Sequence, residues 1–396
     1  MEHFTLPYNY HFGLCLFLAL LLHAVLRAKK PRPRLPPGPW QLPVTGSLHH
    51  LLRGLPHRTM RDLSLRHGPL MLLRVCERVA IVVSSAKAAR EIYRGNEAAF
   101  SERLSSPGID ELCRHGQGIV FAPYGDHWRL LRRILMTELL SARRVEAGRA
   151  ERQRQDTFRL MDNILKTQEE RRMGRDGDDE QDMVDVLLRI QKEGNMRVSL
   201  SDGVIRALLI DVFGAALDTT TTILQWAMAE LMSNPRVMQR VQSEADYVLA
   251  RHATRPCDYT LLRRSSLKCV QDCKIQGYDI PRGATMLTKT WAISRDPKYW
   301  YETKRFMPER FEGNGVADFR GLDFEFTPFG VGRRICPGID FAYANVEIAM
   351  ASLIYHFDWE LPPRVDPREI DMTEVFGATV RRKAELFLHP VPRIPL

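Results

Sequence analysis

The 396-residue sequence has no internal repeat, no regular cysteine spacing and no excess of acidic side chains. Seven cysteines, an odd and irregularly spaced set, argue against a disulfide framework and for a reducing compartment. A content of 44% hydrophobic and 27% charged residues excludes a disordered or collagen-like chain. The chain is therefore an ordinary globular one, long enough to bury a large core.

The net charge of +9 is unevenly distributed. Five basic side chains fall between Arg27 and Arg34, directly after an apolar N-terminal stretch, where a membrane-flanking cluster is expected. Arginine and aromatic residues do not interleave as they do in RNA-binding segments. This distribution of charge predicts that the N-terminal region lies next to a membrane and that the protein does not bind nucleic acid.

Residues 8–26 carry no formal charge and would form a helix of about 28 Å, close to the hydrocarbon thickness of a bilayer. A cleaved signal peptide is the alternative, but its positive charge would precede the apolar core. Here the basic run follows, which leaves the rest of the chain on the cytoplasmic side. We expect a single N-terminal membrane anchor in residues 1–30, a stiff proline-rich linker in 31–40 and one catalytic domain in 41–396.

Helical periodicity dominates the body of the chain. Strand patterns are short: residues 71–75 and 80–84 predict a hairpin, and 283–288 and 386–390 predict isolated strands. The predicted fold class is mainly α with small peripheral β-sheets. The predicted helices cover residues 125–150, 153–172, 182–193, 202–233, 235–251 and 339–357.

Residues 329–338, FGVGRRICPG, form a glycine-rich loop that opens onto the last predicted helix. Gly332 and Gly338 allow a close backbone approach to a ligand, and Arg334 provides a nearby cation. Cys336 stands where a helix N-terminus favours a thiolate, which is a soft iron ligand. The alternatives are a buried structural cysteine and a nucleophile with a histidine base, for which His356 is too distant.

These residues resemble the haem-ligand loop of the cytochrome P-450 superfamily, in particular its plant microsomal members. Trp128 and Arg132 resemble a W-x-x-x-R pair of that family, and Ala215 to Thr220 resembles its oxygen-activation segment. Residues 307–311, MPERF, resemble its P-E-R-F segment. The motifs also occur in the family's order along the chain.

The resemblance implies a cytochrome P-450-like fold and assigns roles to particular residues. Cys336 would bind the iron of haem b, and Trp128, Arg132 and Arg334 would reach its propionates. Asp218 and Thr219 would deliver protons from the long helix 202–233, for which Ser201 is a plausible N-cap and Asn234-Pro235 a stop. A threonine that bonds back to its own helix is the alternative for Thr219. The predicted cofactor-binding set is Trp128, Arg132, Phe329, Gly332, Arg334, Cys336 and Gly338.

The activity that the resemblance implies is insertion of one oxygen atom from O2 into an apolar small molecule. Electrons would come from NADPH through a flavoprotein, the NADPH-cytochrome reductase, and outward-facing Arg129 and Arg133 would meet such an acidic donor. The location would be the endoplasmic reticulum membrane, single-pass, with the catalytic domain in the cytoplasm. Substrate-contact candidates are Ala215, the loop 105–118 and the turn 376–379, above all Phe376 and Ala378.

Two segments of the family pattern are missing, near residues 150–154 and 268–273. The second removes the helix whose Glu-x-x-Arg pair locks the arginine of the P-E-R-F segment. Loss of one member of a buried charge network costs roughly 3–5 kcal/mol. We therefore expect Arg310 to be exposed or paired with another acid. The same gaps leave one alternative function: a truncated, membrane-anchored product without stable haem binding or activity.

Overall fold

The computed structural model describes Leu18 and residues 33–104, 117–141, 183–194, 200–248, 265–312, 317–377 and 379–393. Its α-helices are α1 Leu48–Leu51, α2 Pro56–His67, α3 Ala86–Arg90, α4 Asp126–Ile134, α5 Met183–Glu193, α6 Asp202–Ser233, α7 Pro235–Val248, α8 Thr290–Ile293 and α9 Ile339–His356. Its strands are β1 Leu70–Val75, β2 Arg78–Val83, β3 Glu102–Arg103, β4 Ser265–Lys268, β5 Cys273–Ile275, β6 Tyr278–Ile280, β7 Thr285–Thr288, β8 Phe357–Glu360, β9 Glu374–Val375, β10 Arg381–Arg382 and β11 His389–Pro392. The described part of the chain is thus mainly helical, as predicted.

The largest sheet has five strands in the order β1-β2-β7-β4-β3. The predicted hairpin is confirmed: β1 and β2 pair antiparallel, with Leu70 opposite Val83. The prediction that the two later strands are isolated was wrong. Strand β7 pairs parallel with β2 and antiparallel with β4, and β11 begins at His389 and pairs with β8. These partners are distant in the sequence, so local alternation did not reveal them.

The central helix α6 has the predicted bounds. Ser201 caps its N-terminus, since its hydroxyl oxygen accepts a hydrogen bond from the backbone N–H of Val204 at 3.4 Å. Asn234 follows its last residue, and the proline after it begins α7. The helix has 32 residues and would be about 48 Å long, enough to cross the domain.

The helix predicted over 125–150 is shorter than expected. Regular α-helix ends at Ile134, and a wider π-type turn occupies Leu135–Leu139. Leu140 and Ser141 are described and are not helical, while residues 142–150 and all of 153–172 lie outside the described residues. Helices α5, α7 and α9 agree with their predictions where the structure describes them.

Four apolar clusters hold the described helices and the large sheet together. The first lies between the sheet and α3 and includes Ile81, Ala88 and Phe324. The second packs α4 and α5 against the first half of α6, and the third packs α7 and α9 against its second half. The fourth packs α2 against β1 and β2. Burial of apolar surface on both halves of α6 fixes that helix as the axis of the fold.

Among the described residues, one helix is long and apolar enough to cross a membrane, and it is α6. Apolar clusters pack against both ends of this helix, and 17% of its most apolar 18-residue window is buried. The predicted N-terminal anchor in residues 1–30 lies outside the described residues apart from Leu18.

Candidate haem-binding site

The loop before α9 is held in shape by its own backbone. Gly332–Arg334 forms one 3-10 turn, in which the N–H of Ile335 donates to the carbonyl of Gly332 at 3.0 Å. The N–H of Cys336 donates to the carbonyl of Phe329, also at 3.0 Å. Cys336 is a free, half-buried thiol. The turn therefore presents one sulfur atom at a fixed place ahead of the last long helix.

Two glycines of this loop need left-handed backbone. Gly330 has φ +78° and Gly332 has φ +72°, and a Cβ on Gly332 would come within 3.2 Å of the Tyr93 ring. Gly338 has φ −99°, so the structure shows no such requirement there. Its carbonyl instead accepts the N–H of Ala342 at 2.9 Å and begins α9.

Trp128 brings two of the predicted arginines together. Its indole is 5% exposed and belongs to the core cluster around α4. The guanidinium carbon of Arg132 lies 5.4 Å from the ring centre, and that of Arg334 lies 4.8 Å from it. Nη1 of Arg132 also donates to the carbonyl of Ile335 at 2.9 Å, one residue before Cys336. The helix that carries the W-x-x-x-R pair is thus in direct contact with the cysteine loop.

Arg334 is held by main-chain carbonyls. Its Nε donates to Ser101 at 3.1 Å and its Nη2 donates to Ala122 at 2.7 Å. Burial, followed by the charges of Arg103 and Arg132, lowers the pKa of the Arg334 guanidinium to about 10. Burial also lowers the pKa of Arg132, while the charge of Cys336 acts to raise it. Three arginines therefore create a positive, partly desolvated region beside the thiol.

This region fits the propionates of a haem. Nη1 of Arg334 is buried and has no hydrogen-bond partner in the described part of the chain. A buried donor left unpaired costs about 1–3 kcal/mol, and clustered guanidiniums repel one another. A flat group with two carboxylates would satisfy the free donor and neutralise the cluster. The residues present therefore match the group that the sequence predicts.

Sequence reasoning missed Arg103 in this cluster. Arg103 lies in the two-residue strand β3, which pairs with β4, and its charge acts directly on Arg334. More than two hundred residues separate Arg103 from the cysteine loop, so no local motif joins them.

Arg129 and Arg133, on the other face of α4, are exposed as predicted. Arg129 pairs with Asp126 at 2.8 Å. Phe329, the first residue of the cysteine loop, packs near Phe319, with ring centroids 5.9 Å apart. The exposed arginines form the outer, basic side of the helix that carries Trp128.

On α6, the structure gives Asp218 and Thr219 separate partners. The Thr219 hydroxyl donates to the carbonyl of Ala215 at 2.7 Å, which is the back-bonded alternative. Oδ2 of Asp218 accepts a hydrogen bond from the Thr379 hydroxyl at 2.9 Å. These two contacts fix the positions of both side chains.

The substrate candidates are only partly described. Ala215 is half-buried on α6, beside Thr219. Phe376 stacks on His57 with ring centroids 6.5 Å apart. Ala378 and most of the loop 105–118 lie outside the described residues.

Of the two outcomes predicted for Arg310, exposure is met in part, and a new acidic partner is not seen among the described residues. Arg310 is half-buried, and its guanidinium donates to three main-chain carbonyls, those of Tyr301, Glu302 and Arg305. No carboxylate pairs with it among the described residues, so the expectation of a new acidic partner was wrong. Carbonyl oxygens satisfy the donors without a second buried charge. The neighbouring Glu309 pairs with Arg240 of α7 at 3.4 Å.

Comparison with known proteins places these features in one family. The family model for cytochrome P450 matches residues 36–155, 146–264 and 259–388. Desmethyl-deoxy-podophyllotoxin synthase from Sinopodophyllum hexandrum is 34% identical over 98% of this chain and 97% of its own length. Ent-cassadiene hydroxylase from Oryza sativa subsp. japonica is 34% identical over 96% of each chain. A zebrafish cytochrome P450 structure with abiraterone has a TM-score of 0.67 at 22% identity, covering 86% of this chain and all of that one.

The same comparisons locate the two missing segments. The alignment with the Sinopodophyllum protein extends over 498 positions, although this chain has 396 residues. The matched family segments meet at 146–155 and at 259–264. The first junction agrees with the sequence analysis and the second lies several residues before the predicted place. The chain belongs to the cytochrome P450 family and is a haem-dependent monooxygenase of that family.

Proposed function

We propose that this chain binds haem b through Cys336 and inserts one oxygen atom from O2 into an apolar small molecule. The observation that carries the proposal is the buried, unpartnered Nη1 of Arg334 in the arginine cluster next to the cysteine loop. Cys336 would be the metal ligand. Trp128, Arg132 and Arg334 would orient the propionates, and Phe329, Gly332 and Gly338 would shape the loop beneath them.

When bound through Cys336, haem would supply the oxygen activation that this reaction needs. The side chains of the protein would hold and transfer the protons that the reaction needs. The Asp218 carboxylate, with Oδ2 held by Thr379, keeps Oδ1 as the oxygen that can accept and release a proton. Thr219 stands one residue further along α6, with its hydroxyl oxygen able to accept a second hydrogen bond while it donates to Ala215.

An apolar substrate fits the surface of α6. Ile210, Phe213 and Leu217 are 61%, 55% and 67% exposed and recur at helical spacing along one side of this helix. Ent-cassadiene hydroxylase, one of the relatives, is named for an olefinic substrate. We place the substrate in this hydrocarbon class, with Ala215, Phe376 and Ala378 as contact candidates.

The electron donor and the membrane complete the proposal. Exposed Arg129 and Arg133 present positive charge to an acidic flavoprotein, the NADPH-cytochrome reductase. The uncharged residues 8–26, the basic run after them and the proline-rich linker 31–40 would tether the catalytic domain 41–396 to the cytoplasmic face of the endoplasmic reticulum. The alternative of an inactive product is not favoured, because the relatives align with almost the whole chain.

The full-length chain, co-expressed with a plant NADPH-cytochrome reductase in yeast microsomes, tests this function. Microsomes are supplied with NADPH, ¹⁸O₂ and ent-cassadiene or another apolar hydrocarbon. The expected product is heavier than the substrate by one ¹⁸O atom and requires both NADPH and the reductase. Purified protein that contains no haem, or haem-loaded protein that oxidises no member of a broad hydrocarbon panel, would contradict the proposal.

A further inference from the structure

Three side chains on one face of α6 bind the same turn near the C-terminus. Asp218, Thr222 and Trp226 recur every four residues, so they stand in one row along the helix. Oδ2 of Asp218 accepts from the Thr379 hydroxyl at 2.9 Å, and the Thr222 hydroxyl oxygen lies 3.2 Å from that of Thr379. Nε1 of Trp226 donates to the carbonyl of Val380 at 3.0 Å. The row of side chains thus connects α6 to two consecutive residues, Thr379 and Val380.

The direction of these hydrogen bonds follows from proton count. The Thr379 hydroxyl has one proton, and a carboxylate can only accept, so this proton goes to Asp218. The oxygen of Thr379 then accepts the proton of Thr222. Thr222 is 1% exposed and Thr379 is 6% exposed, so little water can compete with either contact. The chain of hydrogen bonds therefore runs from Thr222, as first donor, through Thr379 to Asp218, as acceptor.

We propose that Thr379 is a positioning residue for Asp218, and that Thr222 in turn orients Thr379. By holding Oδ2, Thr379 prevents rotation of the carboxylate and leaves Oδ1 as the oxygen that exchanges protons. This inference rests on the proposed role of Asp218 in proton delivery. It assigns to the turn 376–379, predicted only as a substrate contact, a function through the carboxylate on α6.

A double-mutant cycle on the purified full-length chain tests the link itself. The midpoint of thermal unfolding is measured for the wild type, Thr379→Val, Asp218→Ala and the double variant. If the two side chains are coupled, the double variant loses clearly less than the sum of the single losses. Thr379→Ser keeps the hydroxyl and should restore most of the loss. Additive losses, or a serine variant no better than valine, would overturn the link.

A second measurement distinguishes positioning from a structural role. With reductase and NADPH, the share of electrons released as hydrogen peroxide and the solvent isotope effect on NADPH oxidation are compared. We expect Thr379→Val to raise the peroxide share at least twofold and to increase the isotope effect, and Thr379→Ser to reverse both changes. Trp226→Phe is the matched control, since it removes the neighbouring bond to Val380 without touching Asp218, and should change neither.

The outcomes separate the two proposals. If Trp226→Phe has the same effect as Thr379→Val, Thr379 is merely structural and the inference is wrong. If Asp218→Ala changes neither readout, the role of Asp218 in the proposed function fails, and the positioning role fails with it. If the wild type does not oxidise NADPH at all, the proposed function fails, while the unfolding cycle still decides whether Thr379 holds the carboxylate.

Discussion

Arg334 lies over the indole of Trp128, with its guanidinium carbon 4.8 Å from the ring centre. This contact joins the loop before α9 to helix α4, although the two segments are more than two hundred residues apart. The aromatic face stabilises a cation that burial would otherwise disfavour. It also keeps the buried Nη1 in place for a partner that the described part of the chain does not supply.

Replacement of Arg334 by leucine should weaken haem retention by about 10- to 100-fold, the range that a charge-assisted hydrogen bond of about 1.5–3 kcal/mol gives. The haem-free protein should change little in stability, because removal of the desolvated charge offsets the loss of the hydrogen bonds to Ser101 and Ala122. Haem transfer to excess apomyoglobin measures the first effect, and urea unfolding of the haem-free form measures the second. Arg129→Leu, at an exposed position on α4, is the control and should change haem transfer little.

Arg310 should contribute measurably to stability even without a carboxylate partner. Arg310→Ala removes three hydrogen bonds to carbonyls, and we expect a loss of about 1–3 kcal/mol in the free energy of unfolding. Arg305→Ala breaks only an exposed pair with Glu302 at 3.2 Å and should cost less than about 1 kcal/mol. Urea unfolding measures both losses. Equal losses in the two variants would show that the hydrogen bonds from Arg310 to the three carbonyls do not stabilise the fold.

A partly buried contact of Glu374 with His57 and Arg58 joins α2 to strand β9 and predicts an acid-sensitive step. Nε2 of His57 lies 2.7 Å from Oε2 of Glu374, and Arg58 donates to the same oxygen at 3.1 Å. Burial acts to raise the pKa of Glu374, but the hydrogen bonds from His57 and Arg58 lower it to about 2. Since the folded-state pKa lies below the unfolded value of about 4.5, this stabilisation is complete above pH 4.5 and is lost as the pH falls toward 2.

Glu374→Gln should therefore lower stability at neutral pH by a few kcal/mol, on the order of 3 from the size of the shift. The difference from the wild type should shrink as the pH falls from 4.5 toward 2. Thermal unfolding over this pH range measures it, with the exposed Glu77→Gln as control. A difference that is independent of pH would show that the carboxylate charge is not what stabilises the contact.

The thiols of Cys269 and Cys273 should be slow to alkylate. Their sulfur atoms are 4.0 Å apart, and burial raises the pKa of both, that of Cys273 to about 12. The thiolate of Cys273 is then only about one part in ten thousand at pH 8. Cys76 is exposed. Iodoacetamide labelling with peptide mapping should modify Cys76 at least about tenfold faster, and comparable rates would contradict the raised pKa values.

Some features of this structure could be predicted from residues that are adjacent in the sequence, and others could not. The central helix was predictable because Ser201 and Asn234-Pro235 mark its ends with local chemistry. The cysteine loop was predictable because its specified residues are contiguous. Arg103, Thr222 and Thr379 were not assigned their roles, because each acts through a contact with a residue remote in the sequence. The same holds for β7 and β11, which a local pattern shows as strands but without partners.

The spectrum of the reduced, carbon monoxide-bound protein tests the central claim, that Cys336 is the axial ligand of a haem. The full-length wild type should bind haem and show the red-shifted Soret band of a thiolate ligand. Cys336→Ala should lose that band, either with the haem or with a shift to the position of a non-thiolate complex. A wild type without haem, or an unchanged thiolate band in Cys336→Ala, would contradict the account.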